Sequence, residues 1–149
     1  MLDCEVEILC LPHFEGLPAP QYMTSGASGF DLLAANSQPI ELAPQKRILV
    51  PTGIQVAIPA GFEAQVRPRS GLAWKEGVSL LNATGTIDSD YRGEIQVILF
   101  NAGDKTFRVE RGMRIAQLVI APTVKARFVV VDNLSATTRG PGGFGHTGV

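Results

Sequence analysis

Apolar positions along the chain come in short bursts, at 46–50, 54–58, 62–66, 94–101, 113–120 and 127–132, each rich in β-branched residues. Turn signals such as Pro51-Thr52-Gly53, Pro59-Ala60-Gly61 and Ala102-Gly103-Asp104 separate them. Bursts of this length between glycine and proline breaks read as strands, and many short strands predict an all-β sandwich, jelly roll or barrel. Near the N-terminus Cys4, Val6, Ile8 and Cys10 alternate with Glu5, Glu7 and Leu9. This predicts a further strand with both cysteines on one side, as buried free thiols too far apart for a disulfide. The one helix expected is short, Ser70–Glu76, with Ser70 as its N-cap and Gly77 as its stop.

Composition supports one sizeable core. The chain has 149 residues, 45% of them hydrophobic and 18% charged, against roughly 25% charged in an average domain. Residues 1–134 are expected to form a single domain. From Ser135 the sequence becomes polar and glycine-rich with one aromatic, Phe144, so 135–149 is expected to be a mobile arm. A disordered arm has no structural need for a phenylalanine, which suggests a part that orders over a ligand.

The net charge is −1. A sequence-independent nucleic-acid binder carries a basic excess to neutralise phosphates, so no nucleic-acid partner is expected. No apolar run approaches the ~18 residues of a membrane span. Acids also stand at the N-terminus where an export signal needs bases. The expectation is a protein that is neither membrane-bound nor exported, and works in the cytoplasm.

Five segments break the strand pattern with polar residues and glycines. Ser25-Gly26-Ala27-Ser28-Gly29-Phe30-Asp31-Leu32 is a loop entering a strand, where Asp31 either ends a turn or serves a site. In Arg67-Pro68-Arg69-Ser70-Gly71-Leu72-Ala73, alternation puts two arginines on one face beside a hydroxyl and a helix start, a combination suited either to phosphate or to an ordinary cap. The segment from Asn82 to Glu94 reads as a β-hairpin loop with two carboxylates, Asp88 and Asp90, close enough to repel. Gln117 lies inside an apolar strand, so its amide ties down a loop or points into a site. The fifth segment is the arm, with Arg139 and Phe144 among glycines.

Taken together and in this order, the segments resemble the five motifs of the homotrimeric deoxyuridine triphosphate nucleotidohydrolase (dUTPase) family. They read Ala27-Ser28-Gly29-Phe30-Asp31-Leu32, Pro68-Arg69-Ser70-Gly71-Leu72-Ala73, Gly85-Thr86-Ile87-Asp88-Ser89-Asp90-Tyr91-Arg92-Gly93-Glu94-Ile95, Gly112-Met113-Arg114-Ile115-Ala116-Gln117-Leu118, and Arg139-Gly140-Pro141-Gly142-Gly143-Phe144-Gly145-His146-Thr147-Gly148. The resemblance runs from about Tyr22 to the C-terminus. One departure is His146, where the family usually has serine.

The resemblance implies a jelly-roll-like fold, a distorted β-barrel, assembled as a homotrimer with active sites at subunit interfaces. It also implies hydrolysis of dUTP to dUMP and pyrophosphate with magnesium (Mg2+), removing dUTP and supplying dUMP for thymidylate synthesis. Asp88 would be the general base on the attacking water, with Gln117 holding water or phosphate. Arg69, Ser70 and Gly71 would grip the phosphates. Asn82 and backbone groups of the hairpin would read uracil, and Tyr91 would exclude a 2′-hydroxyl. Ile87 and Met113 would complete the pocket, Asp31 would touch the metal through water, and Asp90 and Arg92 would hold the hairpin's shape. From a neighbouring subunit's arm, Arg139, Phe144, Gly145 and Thr147 would close over the nucleotide. Two alternatives are a non-catalytic dUTP-binding regulator and dCTP deaminase. The second is disfavoured because its catalytic glutamate falls at Ile98 here.

Overall fold

The structure is a computed structural model, and it describes residues 4–143. Among these residues eleven strands and one α-helix follow in the order β1 (Glu7–Cys10), β2 (Phe30–Leu33), β3 (Ile40–Leu42), β4 (Arg47–Pro51), β5 (Ile54–Ala57), β6 (Phe62–Arg67), α1 (Ser70–Glu76), β7 (Val78–Leu80), β8 (Gly85–Ile87), β9 (Gln96–Asn101), β10 (Phe107–Val109) and β11 (Arg114–Pro122), with a single 3-10 turn at Pro12–Phe14. They form a four-stranded sheet β2-β11-β6-β8, a three-stranded sheet β4-β9-β7 and two strand pairs, β1-β5 and β3-β10. Every ladder is antiparallel. The all-β expectation holds, and among the described residues the ladders do not close into a barrel.

The core lies between the sheets. Leu32, Leu42, Val50, Ile54, Val78, Ile95, Val97, Leu99, Ile115 and Leu118 are essentially out of solvent, each contributing about 1.5–3 kcal/mol by burial. Alternation is clean on β9, where Val97, Leu99 and Asn101 point in. Asn101 is tolerated there because all of its amide is used. Its Nδ2 donates to the carbonyls of Leu42 and Lys105 at 2.9 and 2.8 Å, and its Oδ1 accepts the Gly103 N–H at 2.8 Å.

Helix α1 has the predicted bounds, and Gly77 ends it in the left-handed region at φ 66° with its N–H on the Ala73 carbonyl. The glycine is also needed for space. A Cβ at Gly77 would sit 2.8 Å from the backbone of Gly103, and one at Gly103 would sit 2.7 Å from the Glu76 carbonyl oxygen. Two backbones thus touch where the helix meets the turn after β9.

Four expectations are corrected. Cys10 is exposed and Cys4 only half-buried, because among the described residues β1 pairs with β5 alone and all four of its residues stand exposed; both remain free thiols. Ser70 is the first helical residue and Arg69 the N-cap, with extended backbone and no side-chain capping bond. The expected hairpin does not form, since β8 pairs with β6 while β9 pairs with β4 and β7. Between them Ile95 is drawn into the core, its N–H bound to the Ile54 carbonyl at 2.9 Å. Residues 127–132 form no strand, for they have no ladder partner among the described residues and stand exposed, with Val130 fully so. Among the described residues no helix is long and apolar enough to cross a membrane.

Candidate active site

One row of the four-stranded sheet carries three polar residues side by side. Gln117 on β11 faces Asp31 on β2 and Arg67 on β6. Their strand neighbours Leu32, Ala116, Leu118 and Val66 are buried, so the row lies on the opposite face from the core. A register shift between Arg114 and Ala116 puts Ile115 and Ala116 inward in succession and leaves Arg114 outward, near Asp31. This bulge is what aligns Gln117 with Asp31.

Asp31 is the hub of the row. Its Oδ1 pairs with Arg69 Nε at 2.9 Å and its Oδ2 with Arg114 Nη1 at 3.4 Å. Arg69 Nη1 also donates to the Arg114 carbonyl at 3.3 Å, and Gln117 Nε2 donates to the Pro68 carbonyl at 3.0 Å. The entry to α1 is therefore fastened to β2 and β11 by side chains from three motifs. Ser70 and Gly71 follow Arg69 and stand exposed. Arg67 is turned the other way, its guanidinium on Gln65 Oε1. Met113 packs against the core and its carbonyl accepts the Ala34 N–H. On the other side of Asp31 and Arg114 is a largely apolar cleft of about 290 Å³, bounded by Phe14, Pro18, Met23 and Leu33.

A second cluster lies at the sheet edge. Asn82 is exposed just before β8, Ile87 is half-buried against the core, and Asp88 is exposed immediately after it. Tyr91 N–H closes the turn on the Asp88 carbonyl at 3.1 Å. The Tyr91 ring folds back over Gly93, where a Cβ would lie 2.3 Å from the phenolic oxygen, and its hydroxyl donates to the Glu94 carbonyl at 3.0 Å. Arg92 Nη1 donates to the carbonyls of Ser89 and Tyr91, so the loop's shape is set from inside.

The two clusters stay apart. Ile87 is paired with Ala64, three residues along β6 from Arg67, or about 10 Å at strand rise. Asp88 lies beyond that pair. The chain brings together Asp31, Arg69, Ser70, Gly71 and Gln117, and separately Ile87, Asp88 and Tyr91, while Asn82 lies beside Gly85, which is paired with Val66 next to Arg67. Arg139, third in position, sits in an exposed turn with its Nε on the Gly142 carbonyl. Phe144, Gly145, His146 and Thr147 lie outside the described residues.

Sequence reasoning missed Arg114, Glu94 and His13. Glu94 Oε1 accepts the Gly53 N–H at 2.7 Å and hydrogen-bonds His13 Nε2 at 2.8 Å, which pins the end of the Asp88 loop to the N-terminal segment. Arg111 fastens that segment through the carbonyls of Ala35, His13 and Glu15. His13 lies before the five motifs, and no local pattern marks it. Arg114 could have been found, because it lies between two motif residues and alternation sends it outward.

A family model described as dUTPase matches residues 15–148. Among solved structures, the Staphylococcus bacteriophage 80alpha dUTPase with dUPNHPP is similar at TM-score 0.88 and 25% identity, over 97% of this chain and 99% of that one. A variant of the same phage enzyme with dUpNHpp is similar at TM-score 0.87 and 25% identity, over 97% and 99%. A variant of the dUTPase from phage phi11 of S. aureus shares the fold at TM-score 0.79 and 21% identity, over 89% of this chain and all of that one. With the jelly-roll fold, the Asp31 row and the Asp88 loop in place, the chain belongs to the dUTPase family and is a dUTP diphosphatase, hydrolysing dUTP to dUMP and pyrophosphate.

Proposed function

We propose that Asp88 is the general base that deprotonates a water attacking the α-phosphorus, in a site completed by other copies of the chain in a homotrimer. The observation that carries this reading is the separation of the two clusters. A general base must come within ~3 Å of its water. The Asp88 loop of one chain lies about 10 Å or more from that chain's own Asp31 row. A neighbouring copy that sets its Asp88 loop against this row closes the gap.

The exposed segment after β11 supports assembly. Val124, Phe128, Val130 and Leu134 are each at least 88% exposed, and a run of that kind is covered in an assembly. In such a site Arg69, Ser70 and Gly71 bind phosphate oxygens, with Arg69 supplying most of the charge. Gln117 keeps the entry to α1 in place. Asn82 and backbone groups of the 82–94 segment read uracil, Ile87 and Met113 wall the pocket, and Tyr91 lies against the deoxyribose. Arg139, Phe144, Gly145 and Thr147 of a neighbour's arm close over the nucleotide and exclude water. Residues 1–134 act as the domain and 135–149 as the arm. The phage 80alpha enzymes with a bound dUTP analogue favour the same ligand class here. Two free thiols suit a reducing cytoplasm.

The metal expectation fits only in one form. Among the described residues no group of three or more His, Cys, Asp or Glu side chains is placed to hold an ion, and both Asp31 oxygens face guanidinium groups. These residues suit magnesium carried by the phosphates and its own waters, with Asp31 reaching it through water. Bound there, magnesium supplies positive charge to the phosphate chain.

The test is pyrophosphate release with magnesium from dUTP, dCTP, dTTP and UTP at equal concentration. Cleavage confined to dUTP is the expected result. Binding of dUTP without cleavage of any of the four would transfer the chain to the regulatory reading.

A further inference from the structure

Asp31 makes contacts that a bound phosphate chain has to undo. One carboxylate faces two guanidinium groups, with Arg69 on Oδ1 and Arg114 on Oδ2. Arg69 commits Nε to Asp31 and Nη1 to a backbone oxygen at the long distance of 3.3 Å. The pair is partly open to solvent, the side chains being 31% and 18% exposed. Ion pairs of this exposure are weak and exchangeable, unlike deeply buried ones. A phosphate group offers Arg69 two oxygens in the fork geometry that suits a guanidinium, with more charge than a carboxylate.

We propose that Asp31 is a built-in competitor for the phosphate chain, a counter-anion that holds Arg69 when the site is empty and retakes it when pyrophosphate leaves. The inference rests on Arg69 being a phosphate ligand, as argued above. Because Asp31 is tethered beside Arg69, it competes as an intramolecular partner and needs no encounter. dUTP is also held through its base and sugar, so displacing Asp31 weakens it little. Pyrophosphate has lost those contacts, and for it the competition decides residence. Arg114 keeps Asp31 from drifting into the phosphate site while Arg69 is engaged elsewhere. The only other charge in the row, Arg67, is held by Gln65 and is not shared with Asp31.

The test is calorimetric titration of metal-free protein with inorganic pyrophosphate, for the wild type, Asp31→Asn, Arg69→Gln and the double variant. Removing the competitor is expected to tighten pyrophosphate about fivefold, the order of a partly exposed ion pair. In the Arg69→Gln background the same change is expected to shift affinity less than twofold. Equal tightening in both backgrounds would mean bulk charge alone and overturn the proposal, as would unchanged or weaker binding in Asp31→Asn. Asp31→Ser, also uncharged, carries the same expectation if the asparagine variant fails to fold. Hydrolysis of dUTP by the wild type is measured alongside. Its loss would count against the enzyme reading, whereas a failed cycle in an active enzyme counts against Asp31 alone.

Discussion

Gln117 stands directly across the β2–β11 ladder from Asp31, and its amide reaches past the sheet to hold the Pro68 carbonyl. The half-buried amide therefore fixes the place where β6 turns into α1. Gln117→Leu keeps the volume and loses the bond. It is expected to lower kcat/KM for dUTP at least tenfold while costing about 1 kcal/mol of stability, a fall of about 2–4 °C in Tm. Steady-state kinetics beside thermal unfolding checks both.

Asp88→Asn is expected to reduce kcat by at least about 100-fold, the lower end for loss of a general base. Nucleotide affinity should stay within about tenfold, since the base acts on water more than on bound substrate. Pyrophosphate release and equilibrium binding of a non-hydrolysable dUTP analogue measure the two effects. A variant turning over near the wild-type rate would remove Asp88 from the mechanism.

Tyr91→Ala empties the space over Gly93 and frees the Glu94 carbonyl. The ratio of kcat/KM for UTP to that for dUTP is expected to rise by about tenfold or more, a steric filter being worth roughly 1–3 kcal/mol. Tyr91→Phe keeps the ring and should leave that ratio within about threefold.

Truncation before Arg139 removes most of the arm and none of the strands among the described residues. The shortened chain is expected to retain its assembly state and unfolding midpoint and lose at least about 100-fold in turnover, because solvent exclusion goes with the arm. Light scattering, calorimetry and turnover on one preparation separate these outcomes. Full activity would contradict the covering role.

Gly77→Val places a β-branched side chain at φ 66° and 2.8 Å from the Gly103 backbone. It is expected to destabilise by more than about 2 kcal/mol through left-handed strain and overlap, read as a lowered midpoint in denaturant.

Strand positions in five of the six apolar bursts were legible from the sequence because alternation and turn residues act locally, whereas 127–132 has the same composition and no ladder partner among the described residues. The three-residue strands β3, β7, β8 and β10 were not singled out, since periodicity needs length to register. The failed hairpin shows the same limit. Asp88 to Gly93 looks like a loop between neighbours, yet Ile95 is claimed by the core and carries β9 into another sheet. Motif residues were legible as a set, and their order pointed to the family whose model matches residues 15–148. That Asp31, Gln117 and Arg67 share one row was not legible, because it depends on a bulge at Ile115 that no residue type announces. The cysteines were misread for a related reason, as alternation marks two faces and does not say which one is covered.

The contact between Gly77 and Gly103 has an evolutionary consequence. It seats the rear of α1 on the turn that follows β9, so the front of the helix, with Ser70 and Gly71, takes its position from a turn in another sheet. Lengthening residues 102–106 by one would move the helix and misalign its first turn, although 102–106 holds none of the candidate site residues. The 102–106 turn is therefore expected to keep its length for as long as the enzyme keeps its substrate.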